Sequence, residues 1–298
     1  MPEEKQTDQE TEESENSAIN ALNKDVNDNV MATLKHPSLR FLVDALASEV
    51  EIAAADYELR IKAIAHSLTG MPATEALLKV DMAMTACMDA GENPFQAFSE
   101  EGFRRIRKLV GWLVLLTVDL ASPSGRDGLN AMKAGTLRID IAAETKLGVE
   151  VLVAYLFKNA AQLRIDPNEK FSLNSGYGHG IGDLTINVDP DDRLRYLLTN
   201  LYKELHILDP KEQDLKALAV HLNTTIKIRK TVHKENHYLL IEKNGSFSEE
   251  GLRGLLQRLD YHMNNLATIT FDTSGRVLKI SEPELAAYLF DIFRKIPS

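Results

Sequence analysis

The chain is 298 residues long, 44% hydrophobic and 26% charged, the balance of an ordinary globular protein with length enough for one large core or two smaller ones. Its formal net charge of −10 opposes the surplus of Lys and Arg with which a duplex-DNA binder neutralises phosphates. The single cysteine, Cys87, excludes an internal disulfide and any metal site built from several thiolates, and fits a reduced, cytoplasmic setting.

Residues 1–30 hold nine acids and two lysines, a balance of −7 that leaves −3 for the remainder. Residues 1–17 have almost no apolar content, so they are expected to stay disordered, either as a solubilising tail or as a docking arm for a basic partner. No basic-then-apolar leader opens the sequence. The longest apolar run, Leu109–Val118, ends at Asp119 and is too short to span a bilayer.

Residues 18–121 read as a helical domain. Leu39, Leu42, Val43, Leu46 and Val50 recur at helical spacing, and Ala53, Tyr57, Ile61 and Ile64 extend the stripe as far as Gly70-Met71-Pro72. A second helix covers Ala73–Ala90 and stops at Gly91. Asn93-Pro94-Phe95-Gln96 has the cap, proline and glutamine of another helix start. Arg104, Arg105, Arg107 and Lys108, just before the apolar run, suit either a phosphate or anionic-lipid contact or a solvated face whose stems cover apolar surface; the second is preferred.

Residues 122–128 lie in the linker Ala121–Gly128, ASPSGRDG, and residues 129–298 form an α+β domain. Thr136–Ile141 alternates, which allows a strand or a helix N-terminus, and Glu144–Leu163 is helical. In the glycine-rich stretch 174–183, NSGYGHGIGD, the glycines at 176, 178, 180 and 182 match neither phosphate-loop spacing; a loop, or a strand closely approached by other backbone, is expected. Leu184, Ile186 and Val188 alternate as a short strand. Asp189-Pro190 and Asp209-Pro210 each open a helix, and the acids beside them favour the positive end of the helix dipole.

The segment Asp214–Gly245 reads as a helix closed at Asn223, a strand through Ile226 and Ile228, a polar turn, and a strand at Tyr238–Ile241. A helix from Ser246 to Leu259, strands at Thr268–Phe271 and Val277–Ile280, and a final helix with the capping box Ser281-Glu282-Pro283-Glu284 follow. Strand–strand–helix thus occurs twice in succession. The expected fold is an N-terminal helical bundle followed by an α+β domain with a small antiparallel sheet and helices on one face.

No motif carries a catalytic signature: GxSxG, Walker-type and kinase sets are absent. His233 and His237 flank Glu235 in HKENH, but the order is not HExxH and the segment reads as a turn, so no metal and no cofactor is expected. The candidate chemical groups are His237, His179 and Cys87. Leu215–Ile241, with LKALAVHLNTTIKI followed by HYLL, resembles the C-terminal part of ovarian-tumour-type papain-like cysteine proteases, in which a helix, a strand and a second strand bearing the catalytic histidine follow one another. The resemblance implies His237 as the base. It departs where the nucleophile should be: that family places a cysteine at a helix N-terminus after Asp-Gly, whereas Cys87 comes late in a helix, where the dipole raises its pKa.

Lys227, Arg229, Lys230 and Lys234 on the expected hairpin also resemble a winged-helix element, which the acidic total disfavours as a nucleic-acid binder. The function expected is a non-enzymatic adaptor or accessory subunit of a larger bacterial-type multiprotein assembly, whose partners are other protein subunits. The alternatives are an inactive relative of the cysteine proteases and a winged-helix-like nucleic-acid binder.

Overall fold

A computed structural model describes residues 23–90, 98–118, 138–142, 145–156, 163–165, 171–173, 178–180, 190–206, 214–233, 237–243, 249–272 and 281–296. In chain order its helices are α1 (residues 23–34), α2 (Arg40–Glu49), α3 (Tyr57–Gly70), α4 (Ala73–Asp89), α5 (Glu100–Val114), α6 (Lys146–Leu156), α7 (Pro190–His206), α8 (Leu215–Ile228), α9 (Glu249–His262) and α10 (Glu282–Arg294). The strands are β1 (Arg138–Ala142), β2 (Leu163–Ile165), β3 (Phe171–Leu173), β4 (Gly178–Gly180), β5 (Tyr238–Glu242) and β6 (Ala267–Asp272). The expected tail, the linker, the helix start at Asn93 and the strands at Leu184–Val188 and Val277–Ile280 lie outside the described residues.

The chain divides into two compact units, one formed by residues 1–126, 143–175 and 278–298, the other by residues 127–142 and 176–277. The first unit is helical, with the antiparallel pair β2–β3 added. Its core takes Val30 and Leu34 from α1, Leu42 and Leu46 from α2, and Leu77 and Met84 from α4, all fully buried. The stripe from Leu39 to Ile64 is not one helix. At its C-terminus α2 stops in a paired turn: Glu51 N–H donates to Ser48 O (3.3 Å) and Ile52 N–H to Ala47 O (2.8 Å), with Glu51 at φ 56°. This is the left-handed stop usually given to glycine. Asp56 then caps α3 by accepting from Leu59 N–H at 2.8 Å.

Ser99 caps α5, and Thr145 caps α6 by accepting from Gly148 N–H at 3.0 Å. Gly148 is fixed by packing, since a Cβ there would collide with Thr117 Oγ1. The capping box of α10 forms as its sequence implies, with Ser281 and Glu284 each accepting from the other's backbone N–H. Lys295, just past α10, ties it to α4 through Asp81 Oδ1 at 2.5 Å and Thr85 Oγ1 at 2.7 Å.

The second unit carries the sheet, in the order β1-β6-β5-β4, and every neighbouring pair runs parallel. The α+β character holds broadly; the antiparallel arrangement expected for the sheet does not. The reason lies in the connections: α9 joins β5 to its neighbour β6, and a strand followed by a helical crossover returns in the same direction. Leu239 and Ile241 of β5 share one core with Leu198 of α7, Leu222 of α8 and Leu259 of α9. Tyr238 and Leu240, which alternate with them, are buried as well.

The hairpin strand expected at Thr225–Arg229 is also overturned. α8 passes Asn223 and continues to Ile228, and a π-helical turn carries on through Arg229–His233. The alternation of Ile226 and Ile228 with lysines suggested a strand, yet Leu218, Leu222 and Ile226 repeat every fourth residue and all enter the core. Tertiary burial decides the competition between two periods. The helix begins later than Asp209-Pro210 suggests, because Asp214 is its cap and accepts from Ala217 N–H at 2.7 Å. The doubled strand–strand–helix pattern is therefore replaced, over the described residues, by α8–β5–α9–β6.

Candidate functional site

Three places gather chemistry-bearing side chains: the β1–β6 part of the sheet, the expected catalytic candidates, and the outer side of α8. In a parallel sheet, ligands commonly settle beyond the carboxyl ends of the strands. Near that end Lys243 Nζ meets Asp140 Oδ2 at 2.6 Å, and Thr270 Oγ1 donates to Asp140 Oδ1 at 3.0 Å. Two residues back on the ladder, Arg138 pairs with Asp260 at 2.5 Å and donates to Thr268 Oγ1 at 2.9 Å and Leu266 O at 3.0 Å. Burial lowers the Arg138 guanidinium pKa, with the Asp260 carboxylate opposing the shift. The two ion pairs join β1 to the end of β5 and to α9. Their chemical effect is to balance charge along the β1–β6 ladder, where Asp140 and Thr270 are register partners.

Cys87 lies in α4 of the first unit, whereas His179 and His237 belong to the second. Burial pushes the Cys87 thiol up to about 11, and the Asp44 carboxylate adds to the shift, the opposite of what an attacking thiolate needs. His237 is 2% exposed and stands immediately before β5. His179 is the central residue of β4 and pairs in register with Leu239, two residues from His237. The glycine-rich stretch thus contributes a strand at 178–180, while its glycines at 176 and 182 lie outside the described residues. Burial also pushes the Tyr238 phenol, opposite Gly178, up to about 12.

The helix–strand–strand order behind the protease resemblance is not what the chain adopts, since α8 occupies the place of the first strand. The proposed wing is absent for the same reason: Lys227, Arg229 and Lys230 ride on helical backbone, and Lys234 lies outside the described residues, as does Glu235. His233 closes the π-helical turn rather than a hairpin. Among the described residues no group of three His, Cys, Asp or Glu side chains could hold a metal ion.

Two basic stretches remain. On α5, Arg104 and Arg105 both close on Glu101, with Nε–O distances of 2.7 and 2.5 Å. Hydrogen bonds from Arg105 first, and then from Arg104, hold the Glu101 carboxyl below the usual carboxylate range. On α8 the inner side is Leu218, Ala219, Leu222 and Ile226. The outer side exposes Val220 at 59% and Ile228 at 50%, and Val232 in the π-helical turn after it is 67% exposed. Lys216 and Lys227 are exposed along one edge of the outer side and Lys230 in the π-helical turn, and residues 215–233 contain no Asp or Glu. Asn223, next to this edge, donates to His262 O and accepts from Asn265 N–H at 3.3 Å, anchoring α8 to the last turn of α9.

This outer side exists only because residues 225–228 are helical. The signal that could have revealed it is the run of 19 residues without an acid in a chain of net charge −10. Among the described residues no helix is long and apolar enough to cross a membrane. No family model, curated protein or solved structure matches the chain.

Proposed function

We propose that this protein is a non-enzymatic adaptor or accessory subunit of a larger bacterial-type multiprotein assembly, working in the cytoplasm through surfaces that meet other protein subunits. The observation that supports this reading is a set of exposed apolar side chains: Val220 and Ile228 on the side of α8 turned away from its core, and Val232 in the π-helical turn after it. Apolar side chains grouped on an otherwise polar surface are what a protein interface uses at its centre. The first unit offers a second example in Leu78 and Met82, four residues apart and exposed on α4, a spacing that puts them on one helical face. The acidic residues 1–17 add an arm for a basic partner.

The test is affinity capture from native extract with the intact chain, the chain lacking residues 1–17, and a Val220→Asp/Ile228→Asp variant. The reading expects a defined set of proteins held by the intact chain and depleted with the double variant. Identical captured sets for all three, together with turnover that disappears in His237→Gln or Cys87→Ser, would replace the adaptor with an enzyme.

A further inference from the structure

We infer that the outer side of α8 is a docking surface for an acidic amphipathic helix of a partner protein, an inference that rests on the interaction reading above and specifies its ligand. Three features of the surface select this occupant.

The first is charge. Lys216, Lys227 and Lys230 are exposed, and among the described residues none of the three takes part in an ion pair. The remaining cation of the stretch, Arg229, is turned inward and donates to Leu205 O at 2.8 Å. With no acid between Leu215 and His233, this stretch is cationic within a chain of opposite sign. Its complement is an anionic surface.

The second is the separation of the two kinds of side chain. On a helix of 3.6 residues per turn, residues 216 and 227 fall on one edge of the outer side, and Lys230 is exposed in the π-helical turn that follows. Ala217, Val220, Thr224 and Ile228 fall along the middle and opposite edge of the outer side. An apolar row beside a cationic row is matched by a helix with aliphatic residues at i, i+3, i+4 and i+7 flanked by Glu or Asp on one side. Interfacial contacts of that kind combine an apolar strip with a polar rim.

The third is shape, which sets a protein helix apart from other anionic surfaces. A membrane-surface helix sinks a broad apolar face into the lipid, but the broad apolar face of α8, Leu218, Leu222 and Ile226, is already in the core. What remains outside is a narrow row of Val and Ile without an aromatic residue on α8. A nucleic acid would answer the lysines and leave the apolar row idle, against a chain net charge of −10. A helix laid along α8 uses both rows at once.

The experiment is selection of a displayed library of helical peptides on the full-length protein, with Val220→Asp/Ile228→Asp protein as the counter-target. Both substituted side chains are exposed, so circular dichroism of the variant should superimpose on that of the parent. The expected result is enrichment of net-acidic peptides with the i, i+3, i+4, i+7 aliphatic pattern. Their affinity should fall by about tenfold or more on Lys216→Glu/Lys227→Glu/Lys230→Glu protein, and should recover when the peptide's own flanking acids are changed to Lys. The inference is overturned if no peptide is enriched, if the enriched peptides are basic or bind the variants equally, or if the surface instead binds phosphatidylserine vesicles or single-stranded RNA in a Lys216-, Lys227- and Lys230-dependent way. It is also overturned if peptides bind only after removal of residues 1–17, or if light scattering shows a homodimer lost in the double variant. Capture from extract that depends on Val220 and Ile228, without enrichment of acidic helices, would sink this inference and leave the adaptor reading standing.

Discussion

Helices α5 and α8 are both basic, and both bury one side in a core, yet they treat their charges differently. In α5, Glu101 sits one turn before Arg104 and Arg105 and draws both guanidinium groups onto itself. In α8 no acid is available within the helix, and Lys216, Lys227 and Lys230 face solvent. The contrast separates two uses of a cationic helix that composition alone would merge. Glu101 pairs with the arginines three and four residues after it, whereas Lys227 and Lys230 have no acid at i−3 or i−4. Pairing recurs in the sheet, where Arg138 and Asp260, and Lys243 and Asp140, satisfy one another.

The largest effects should come from the inner sides, on which the two helices agree. Leu222→Ala in α8 and Ile106→Ala in α5 each empty a fully buried site and should cost about 2–5 kcal/mol in urea unfolding. A loss below about 1 kcal/mol at Leu222 would mean that α8 is not seated as described and that its outer side is misassigned.

Cys87 provides a kinetic test of the claim that suggestive groups are held by their own surroundings. With its thiol raised from the ordinary 9.0 to about 11, alkylation by iodoacetamide at pH 8 should run about a hundredfold slower in the native protein than in the urea-unfolded chain. A rate equal to or above the unfolded one would return Cys87 to the list of nucleophiles. The sign of the stability effect follows: the contribution is complete below pH 9.0, the ordinary thiol value, and is lost as pH climbs through about 11.

A smaller change is expected at the stop of α2, a helix end that settles its backbone groups locally as α5 settles its charges. Glu51 holds φ 56° in a place that favours a residue without Cβ. Glu51→Gly should raise stability by about 0.5–1 kcal/mol, the strain of a left-handed side chain outweighing the added freedom of the unfolded chain. Thermal unfolding measures it, and a loss of stability would refute the turn.

The smallest effect is the most direct on the comparison. The stability that Glu101 contributes is present above the ordinary carboxylate value of 4.5 and fades as pH falls through its lowered folded value. Glu101→Gln should therefore lower the melting temperature slightly on the neutral side, with the difference from the parent vanishing as pH falls through the lowered carboxyl value. An equal shift at all pH values would show that its pairing with the arginines is not what the carboxylate provides.

Much of the fold was legible wherever the signal is local. Ser281 and Glu284 announced their capping box, and alternation allowed β1. Strand direction was harder, because a period of two is the same in either sense. Tyr238–Ile241 nevertheless held a clue: four consecutive apolar residues fit a strand covered on both faces, the usual condition of a parallel sheet, and all four are buried. At Thr225–Ile228 the β-branched residues and the alternating lysine imitated a strand, and only the core contacts of Ile226 distinguish the alternatives. The outer side of α8 depended on that distinction.

The pairing of β1 with β6 has a consequence for how the protein is made. Arg138 finds Thr268 across a sequence separation of 130 residues, so β1 leaves the ribosome long before its neighbour exists. Until β6 is synthesised, Ile139 and Ile141 have no strand to shelter them. The sheet is thus completed only after α9 has been synthesised, and the nascent protein passes through an interval in which an apolar strand edge is open. Closure of such distant contacts is slow, and exposed edges invite association with other chains. Newly made copies should consequently depend more on chaperones and on low expression temperature than their finished stability would suggest.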